Sequence, residues 1–489
     1  MPLSTRSLRL LAVSASALTL AACAAVGPNF KAPDGPKDAA AASYAMAGDP
    51  AAPGVRLSPE ARAAGPWWQA FGSPELDATI RQALADSPSV AEARATLEKA
   101  QAEARSVRGE QFVRADANAS AERERINLAA FGFKGFPGQP PISNPTINLY
   151  QVGGQVSYDL DLFGGRKRAT EEANAKADAA ARQADAAYLS LSANIALQAM
   201  KIATLRAQLA ESRAIVADDR RIIDIVLKAE AAGGEPHSAL SGGVGQLAED
   251  EALLPPLQRD LDAARHQLAL LSGKSPAAWT APEFDLARLT PPATLPVSLP
   301  SQLIRNRPDI LAAEADLHAA TAAVGVAVAH QYPDLRLSAM LTQEGLQPGD
   351  IFRADAAAWT VLGGLTAPVF HGGSLQANRR AAEADARLSL ARYEQTVLRA
   401  FVQVADVLAN LGSDQQSIDS LTLVNEAADG GLQNAENALR LGGGPMIDVV
   451  QAQRTRSRAR RALVEAQGRR LSDVVALYAA TAADWRAVR

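Results

Sequence analysis

From Val152 to Leu162 every second residue is apolar or glycine: Val152, Gly154, Val156, Tyr158, Leu160 and Leu162. Gln151, Gly153, Gln155, Ser157, Asp159 and Asp161 stand between them. A period of two predicts a strand with one greasy and one polar face. Phe163-Gly164-Gly165 ends the alternation. From Arg166 the chain turns Ala-, Glu-, Lys- and Arg-rich, with neither Gly nor Pro before Gly233. This predicts one helix of about 65 residues, roughly 100 Å long at ~1.5 Å per residue. An average helix is only about 11–12 residues.

The pattern recurs. Trp359, Val361, Gly363, Leu365, Ala367 and Val369 alternate with Thr360, Leu362, Gly364, Thr366 and Pro368, and Phe370-His371-Gly372-Gly373 repeats the break. A second rod is predicted from Ser374 to about Leu441. Gly164 answers Gly372 at an offset of 208, Pro236 answers Pro445 at 209, and Pro88 answers Pro308 at 220. The chain is therefore a tandem duplication with a period near half its length. The dozen extra residues fall between the strands of the first copy, about 122–146, a connection holding Phe131, Phe133, Phe136, Pro137, Pro140 and Pro141. Each copy reads as helix, strand, strand, rod, tip and returning helix. The first opens at Trp67-Trp68 and carries a helix from Pro74 past Pro88 to about Phe112, a weak strand at 115–122, and a return helix to about Leu271. In that return helix Gly242–Gly245 is poor helix and Pro255-Pro256 predicts a kink. The second copy reads as helix 300–331, strands 335–342 and 359–369, rod 374–441 and helix 446–482. A Pro-rich connector, 273–299, joins the copies.

Four strands of about ten residues cannot close a membrane barrel, which needs at least about eight. Open edges cannot face lipid. The chain must therefore assemble with copies of itself, two giving eight strands, three twelve and four sixteen. Apart from the N-terminus no stretch reaches about 18 consecutive apolar residues, so a β-barrel is the remaining way across a bilayer.

Of 489 residues, 48% are hydrophobic but only 5% aromatic, so the apolar content is mostly Ala, Leu and Val, which suits close helix packing. A net charge of −4 argues against a nucleic-acid binder. Arg6 and Arg9 precede an apolar run, Leu10–Leu20, that ends in Leu20-Ala21-Ala22-Cys23. This predicts a signal peptide over 1–22. Leu-Ala-Ala-Cys resembles a bacterial lipobox, in which Cys23 becomes the first residue and carries diacylglycerol and an N-acyl group such as palmitate. The alternative is an ordinary secretory signal with an incidental cysteine. Cys23 is the only cysteine, so no intrachain disulfide forms. Residues 23–66 read as an extended tether, 67–272 as the first repeat and 300–489 as the second.

Strand, glycine pair and rod, duplicated behind a lipobox, resemble the TolC/OprM/NodT-type outer-membrane efflux channels. The resemblance is carried by Val26-Gly27-Pro28-Asn29-Phe30, Trp67-Trp68 with Phe71, Asp159-Leu160-Asp161-Leu162-Phe163-Gly164, Leu254-Pro255, Asn306-Arg307-Pro308-Asp309-Ile310 and Tyr332-Pro333. It implies a mainly α fold with a β-barrel portion: a homotrimer with a twelve-stranded outer-membrane barrel continued by a periplasmic barrel of helical hairpins. It also implies docking, through the tips Gly233-Gly234-Glu235-Pro236 and Gly443-Gly444-Pro445, to a periplasmic adaptor and an inner-membrane pump of the resistance-nodulation-division class. In the family pattern the helix after the second tip carries acidic residues into the pore. Asp448 matches the first acidic position and Gln451 stands at the second, implying one carboxylate ring per trimer. Alternatively, Asp448 simply favours the dipole of its first helical turn.

The duplication itself sets a basic run, Arg454, Arg456, Arg458, Arg460 and Arg461, at the height of Glu249, Asp250 and Glu251. The 209-residue offset places Arg458 opposite Glu249 and Arg460 opposite Glu251, so the two clusters are expected to help hold neighbouring hairpins together. The alternative is two solvated faces. No enzymatic constellation emerges. Leu271-Ser272-Gly273-Lys274-Ser275 ends like a phosphate loop but lacks its first glycine and follows a helix. The five histidines show no metal-ligand spacing and no cofactor is expected. The expected function is a passive exit duct for small molecules such as drugs, solvents or metal ions. The alternatives are the duct of a type I protein secretion system and a lipid-anchored periplasmic coiled-coil scaffold.

Overall fold

The computed structural model describes residues 25–33, 44, 55–58, 66–128, 144–234, 236–297 and 300–482. The signal peptide, Cys23, Glu235 and the Phe/Pro-rich loop from Phe131 to Pro141 lie outside the described residues.

Ser73 opens the first helix: its hydroxyl accepts the Leu76 N–H at 3.2 Å, and Pro74 takes the first helical position. Helix α1 (Pro74–Asp86) stops at Ser87, and α2 (Pro88–Gly109) begins anew. One helix running past Pro88 was expected. Ser87 is instead extended (φ −69, ψ 129), because a residue before proline is driven out of the helical region. Strands β1 (Arg114–Arg125) and β2 (Thr146–Asp159) follow, then α3 (Gly165–Ala231), α4 (His237–Ala252) and α5 (Leu254–Leu271). The same order returns as α6 (Pro300–Asn306), α7 (Pro308–Ala329), β3 (Asp334–Gly345), β4 (Ala357–Thr366), α8 (Ser374–Arg440) and α9 (Met446–Thr481). The rods α3 and α8 are each 67 residues long.

Gly242–Gly245 stays inside α4, where Gly243 faces Ile223 and a Cβ would sit 3.3 Å from it. The interruption falls instead at Leu253, because Pro255 and Pro256 cannot donate into a preceding turn.

The chain forms two compact units. One holds the strands, within 98–178 and 315–391, together with the described part of 1–32. Its sheet is antiparallel in the order β1-β2-β3-β4. The other holds 33–97, 179–314 and 392–489. Its core gathers Trp67, Trp68 and Phe71 with Ile195, Met200, Leu268, Val475 and Tyr478, all nearly inaccessible. Trp67 stacks on Tyr478 at 5.4 Å, and the Trp68 indole donates to Asp77 at 2.8 Å. Gly468 presses on Thr204 where α9 crosses α3, a place with no room for a Cβ. In this unit Leu57–Ser58 pairs in parallel with Leu295–Pro296, so part of the expected tether is fixed to the connector. Helix α7 is apolar enough, by length and composition alone, to cross a bilayer. It is instead a packed helix, burying Ile310, Ala312, Leu317, Ala319, Ala322 and Val324.

Candidate functional site

The strand register divides the sheet into two faces. Ala115, Val156, Ala339 and Val361 lie side by side, as do Ala117, Gly154, Leu341 and Trp359, and Tyr158, Leu337 and Gly363. The intervening rows are Asp116, Gln155, Met340 and Thr360, then Asn118, Gly153, Thr342 and Ala358, and Asp159, Arg336 and Gly364. One face is thus greasy and the other largely polar. On the greasy face Trp359 is 75% exposed and Val361 72%. Water would penalise such a surface, whereas hydrocarbon would not. Among the described residues the terminal strands β1 and β4 each leave one edge unpaired.

Below the sheet the strands join the rods through glycine. Gly164 (φ +74) and its counterpart Gly372 (φ +57) adopt left-handed conformations. Asp161 caps α3 by accepting the Arg166 and Lys167 N–H groups at 3.0 and 2.9 Å. Here the N-terminal segment docks. Buried Arg168 donates to the Val26 carbonyl at 3.1 Å, the Asn29 side chain at 2.7 Å and Glu171 at 2.7 Å. Glu171 meets His318 at 3.0 Å, and Phe30 stacks on the His318 ring at 4.4 Å. Gly27 (φ +90) lies against Gly325, where a Cβ would come within 2.5 Å of backbone. Burial alone would raise the Glu171 pKa, but hydrogen bonds from His318 and Arg168 hold it below the usual range. The motif Val26–Phe30 was visible in the sequence; its clamp was not, and no local signal pointed to it.

The two tips share one geometry. Gly233 N–H donates to the Glu230 carbonyl and Gly234 N–H to the Ala229 carbonyl; Gly442 and Gly443 repeat both bonds on Leu439 and Ala438. This double-bonded helix end needs a left-handed residue first. Gly233 (φ +77) and Gly442 (φ +74) supply it. The sequence places the second tip at 442–445 but singles out Gly443 and Gly444, whereas the 209-residue offset from Gly233 points to Gly442 as the left-handed residue. Pro236 and Pro445 cap the returning helices. Val226, Leu432, Met446 and Val449 form a small core behind the tips. Asp448 and Gln451 are exposed in the first turns of α9.

The charge clusters meet, but not in the expected pairing. Arg461 reaches buried Asp250 at 2.9 Å, and Arg456 pairs with Asp429 at 2.7 Å. Arg460 lies 3.5 Å from Asp429 and 3.9 Å from Glu211, whereas Glu251 pairs with Arg220 of its own hairpin. Glu249 and Arg458 are exposed and form no ion pair among the described residues. Arg454 lies 3.5 Å from the Gly242 carbonyl. The offset fixes height along a rod, but the facing residue depends on helical phase, which moves the contact from Arg458 one turn on to Arg461. Burial, then the Asp250 charge, pushes Asp219 up to about 6.

A sheet with one exposed greasy face has the pattern of a lipid-facing barrel wall. The sequence profile described as outer membrane efflux protein matches residues 79–274 and again 299–483. The pyoverdine export outer membrane protein OpmQ of Pseudomonas aeruginosa is 28% identical over 423 residues, 86% of this chain and 88% of its own. The probable outer membrane lipoprotein SilC of Salmonella typhimurium is 24% identical over 478 residues, 98% of this chain and 99% of its own. The solved outer-membrane channel OprN matches with a TM-score of 0.81 at 27% identity, covering 94% of this chain and 99% of that one. The chain belongs to the outer membrane efflux protein family: it is an outer-membrane protein and serves as an exit duct.

Proposed function

We propose that three copies close a twelve-stranded barrel and that the resulting tube passively conducts small molecules to the exterior, received from a periplasmic adaptor and an inner-membrane pump of the resistance-nodulation-division class. The observation that carries this is the four-stranded sheet with one greasy face and two open edges. Such a sheet is stable in lipid only when β4 of one copy meets β1 of the next. Cys23, acylated, anchors the segment that Arg168 clamps. The tips Gly233–Pro236 and Gly443–Pro445 form the adaptor-facing end. Asp448 contributes one carboxylate per chain to a ring at that end, and the Asp250–Arg461 pair helps hold neighbouring hairpins closed. The chain performs no chemistry of its own. A pyoverdine exporter among the relatives favours small molecules over secreted proteins.

Conductance of purified protein in planar bilayers tests the reading. Wild type is expected to form cation-preferring pores, and Asp448→Asn to lose part of that preference because three crowded carboxylates attract cations. Unchanged selectivity removes Asp448 from the pore, and absence of any pore removes the duct.

A further inference from the structure

In the second unit Oδ2 of Asp219 and Oδ2 of Asp414 are buried and have no hydrogen-bond donor among the described residues. Both residues are buried, 8% and 7% exposed. Each lies on a rod and interacts with an aspartate on a returning helix: Asp219 of α3 with Asp250 of α4, and Asp414 of α8 with Asp473 of α9, the latter two lining one cavity. Two acceptors cannot satisfy each other unless one is protonated. A buried unpaired carboxylate is costly enough to take up a proton instead.

The cations nearby do not remove the need. Arg461 and Gln246 both donate to Asp250, at 2.9 and 2.5 Å, leaving Asp219 Oδ2 facing a carboxylate that is already supplied. Arg454 of α9 and Asp218 of α3 are the other charges acting on Asp219. At the second pair, Arg469 approaches Asp414 Oδ1 only to 3.6 Å and is shared with Glu465 at 2.9 Å. Asp414, Asp473, Arg469 and Glu465 line a cavity of about 640 Å³, with Lys201 on its α3 wall. The two pairs are not copies of one another. By the 209-residue offset Asp219 answers Ala428 and Asp473 answers Ala264, both buried alanines. Each hairpin therefore carries this arrangement separately, at its own height.

We propose that each helical hairpin is a proton-binding site, one proton shared by Asp219 and Asp250 in the first and one by Asp414 and Asp473 in the second, so that acid tightens rod against return helix. Burial, then the partner carboxyl, raises Asp219 to about 6 and Asp473 to about 7. The packed hairpin therefore holds its proton over a range where a loosened one has released it. Packing is strongest at low pH and weakens as pH rises through about 6 and about 7. In a duct walled by these hairpins, an acidified periplasm stiffens the wall.

Hydrogen exchange of the full-length protein in detergent micelles, at about pH 5 and about pH 8 with intrinsic rates corrected, reads the effect. Segments around 219, 250, 414 and 473 are expected to open about tenfold less often at the acid pH. In the Asp219→Asn/Asp473→Asn variant each amide supplies a permanent donor, so protection at the higher pH should rise to the acid level and the pH dependence vanish. Equal opening of the wild type at both pH values overturns the proposal, as does a double variant that keeps the wild-type dependence. If the double variant fails to assemble, Asp473→Asn alone, read at the second hairpin, decides by the same criteria.

Discussion

At the scale of single residues, the clamp on the N-terminal segment is the most connected feature and the least visible in the sequence. Arg168 and Val26 are 142 residues apart, and His318 lies 147 from Glu171. No periodicity links such positions; only the folded duplication brings them together. What the sequence did disclose was that Val26–Phe30 is a motif, and the structure supplies the reason: Gly27 has no room for a Cβ and Phe30 has a ring to stack on. Arg168→Ala would strip donors from the Ala25, Val26 and Gly27 carbonyls, Asn29 and Glu171 at once. We expect a loss of about 2–4 kcal/mol in denaturant unfolding of the assembled protein, with Arg168→Lys recovering only part because an ammonium lacks the forked geometry. An Arg168→Ala midpoint equal to wild type would make the clamp inconsequential. The clamp also has a pH signature opposite to that of the hairpins. The folded Glu171 pKa is lowered, so its contribution is complete at neutral pH and fades as pH falls below the ordinary glutamate range.

At the scale of elements, β2 and β4 were legible because their alternation holds for about ten residues, and the rods because they run on without proline. Rod α3 begins within a residue of its expected start, and the break before it needs the left-handed Gly164. Gly242–Gly245 misled because glycine weakens a helix by only about 1 kcal/mol per residue, which packing against a rod offsets. Pro255-Pro256 did not mislead, since the ring excludes a turn outright. The same distinction predicts the tips. Gly233→Ala and Gly442→Ala force a Cβ into left-handed backbone and should each destabilise the last turn by about 1 kcal/mol. Gly234→Ala and Gly443→Ala, where φ is not positive, should have far smaller effects. Limited proteolysis at the tips reads the difference: faster cleavage for the first pair alone is the expected result, and equal cleavage of all four would reject the helix-end assignment.

At the scale of the whole molecule, one chain cannot state how many copies complete it. Four strands per chain are compatible with barrels of eight, twelve or sixteen, and only the family resemblance selects twelve. The physical content of that choice is a contact the chain lacks by itself. Among the described residues β1 pairs only with β2, and β4 only with β3. A closed barrel joins β4 of one copy to β1 of another, whereas a two-fold dimer of sheets would join like edges, β1 to β1 or β4 to β4. Cys23 is the chain's only cysteine, so engineered cysteines report cleanly. We expect Asn118→Cys in β1, combined in turn with Ala358→Cys, Thr360→Cys and Leu362→Cys in β4, to cross-link under oxidation in one register. In that register three-chain products should accumulate, because a ring closes only after its last bond. A ladder ending at two chains, or cross-links from Asn118→Cys alone, would replace the head-to-tail ring with a symmetric pair. Ladders ending at four would keep the duct but widen it.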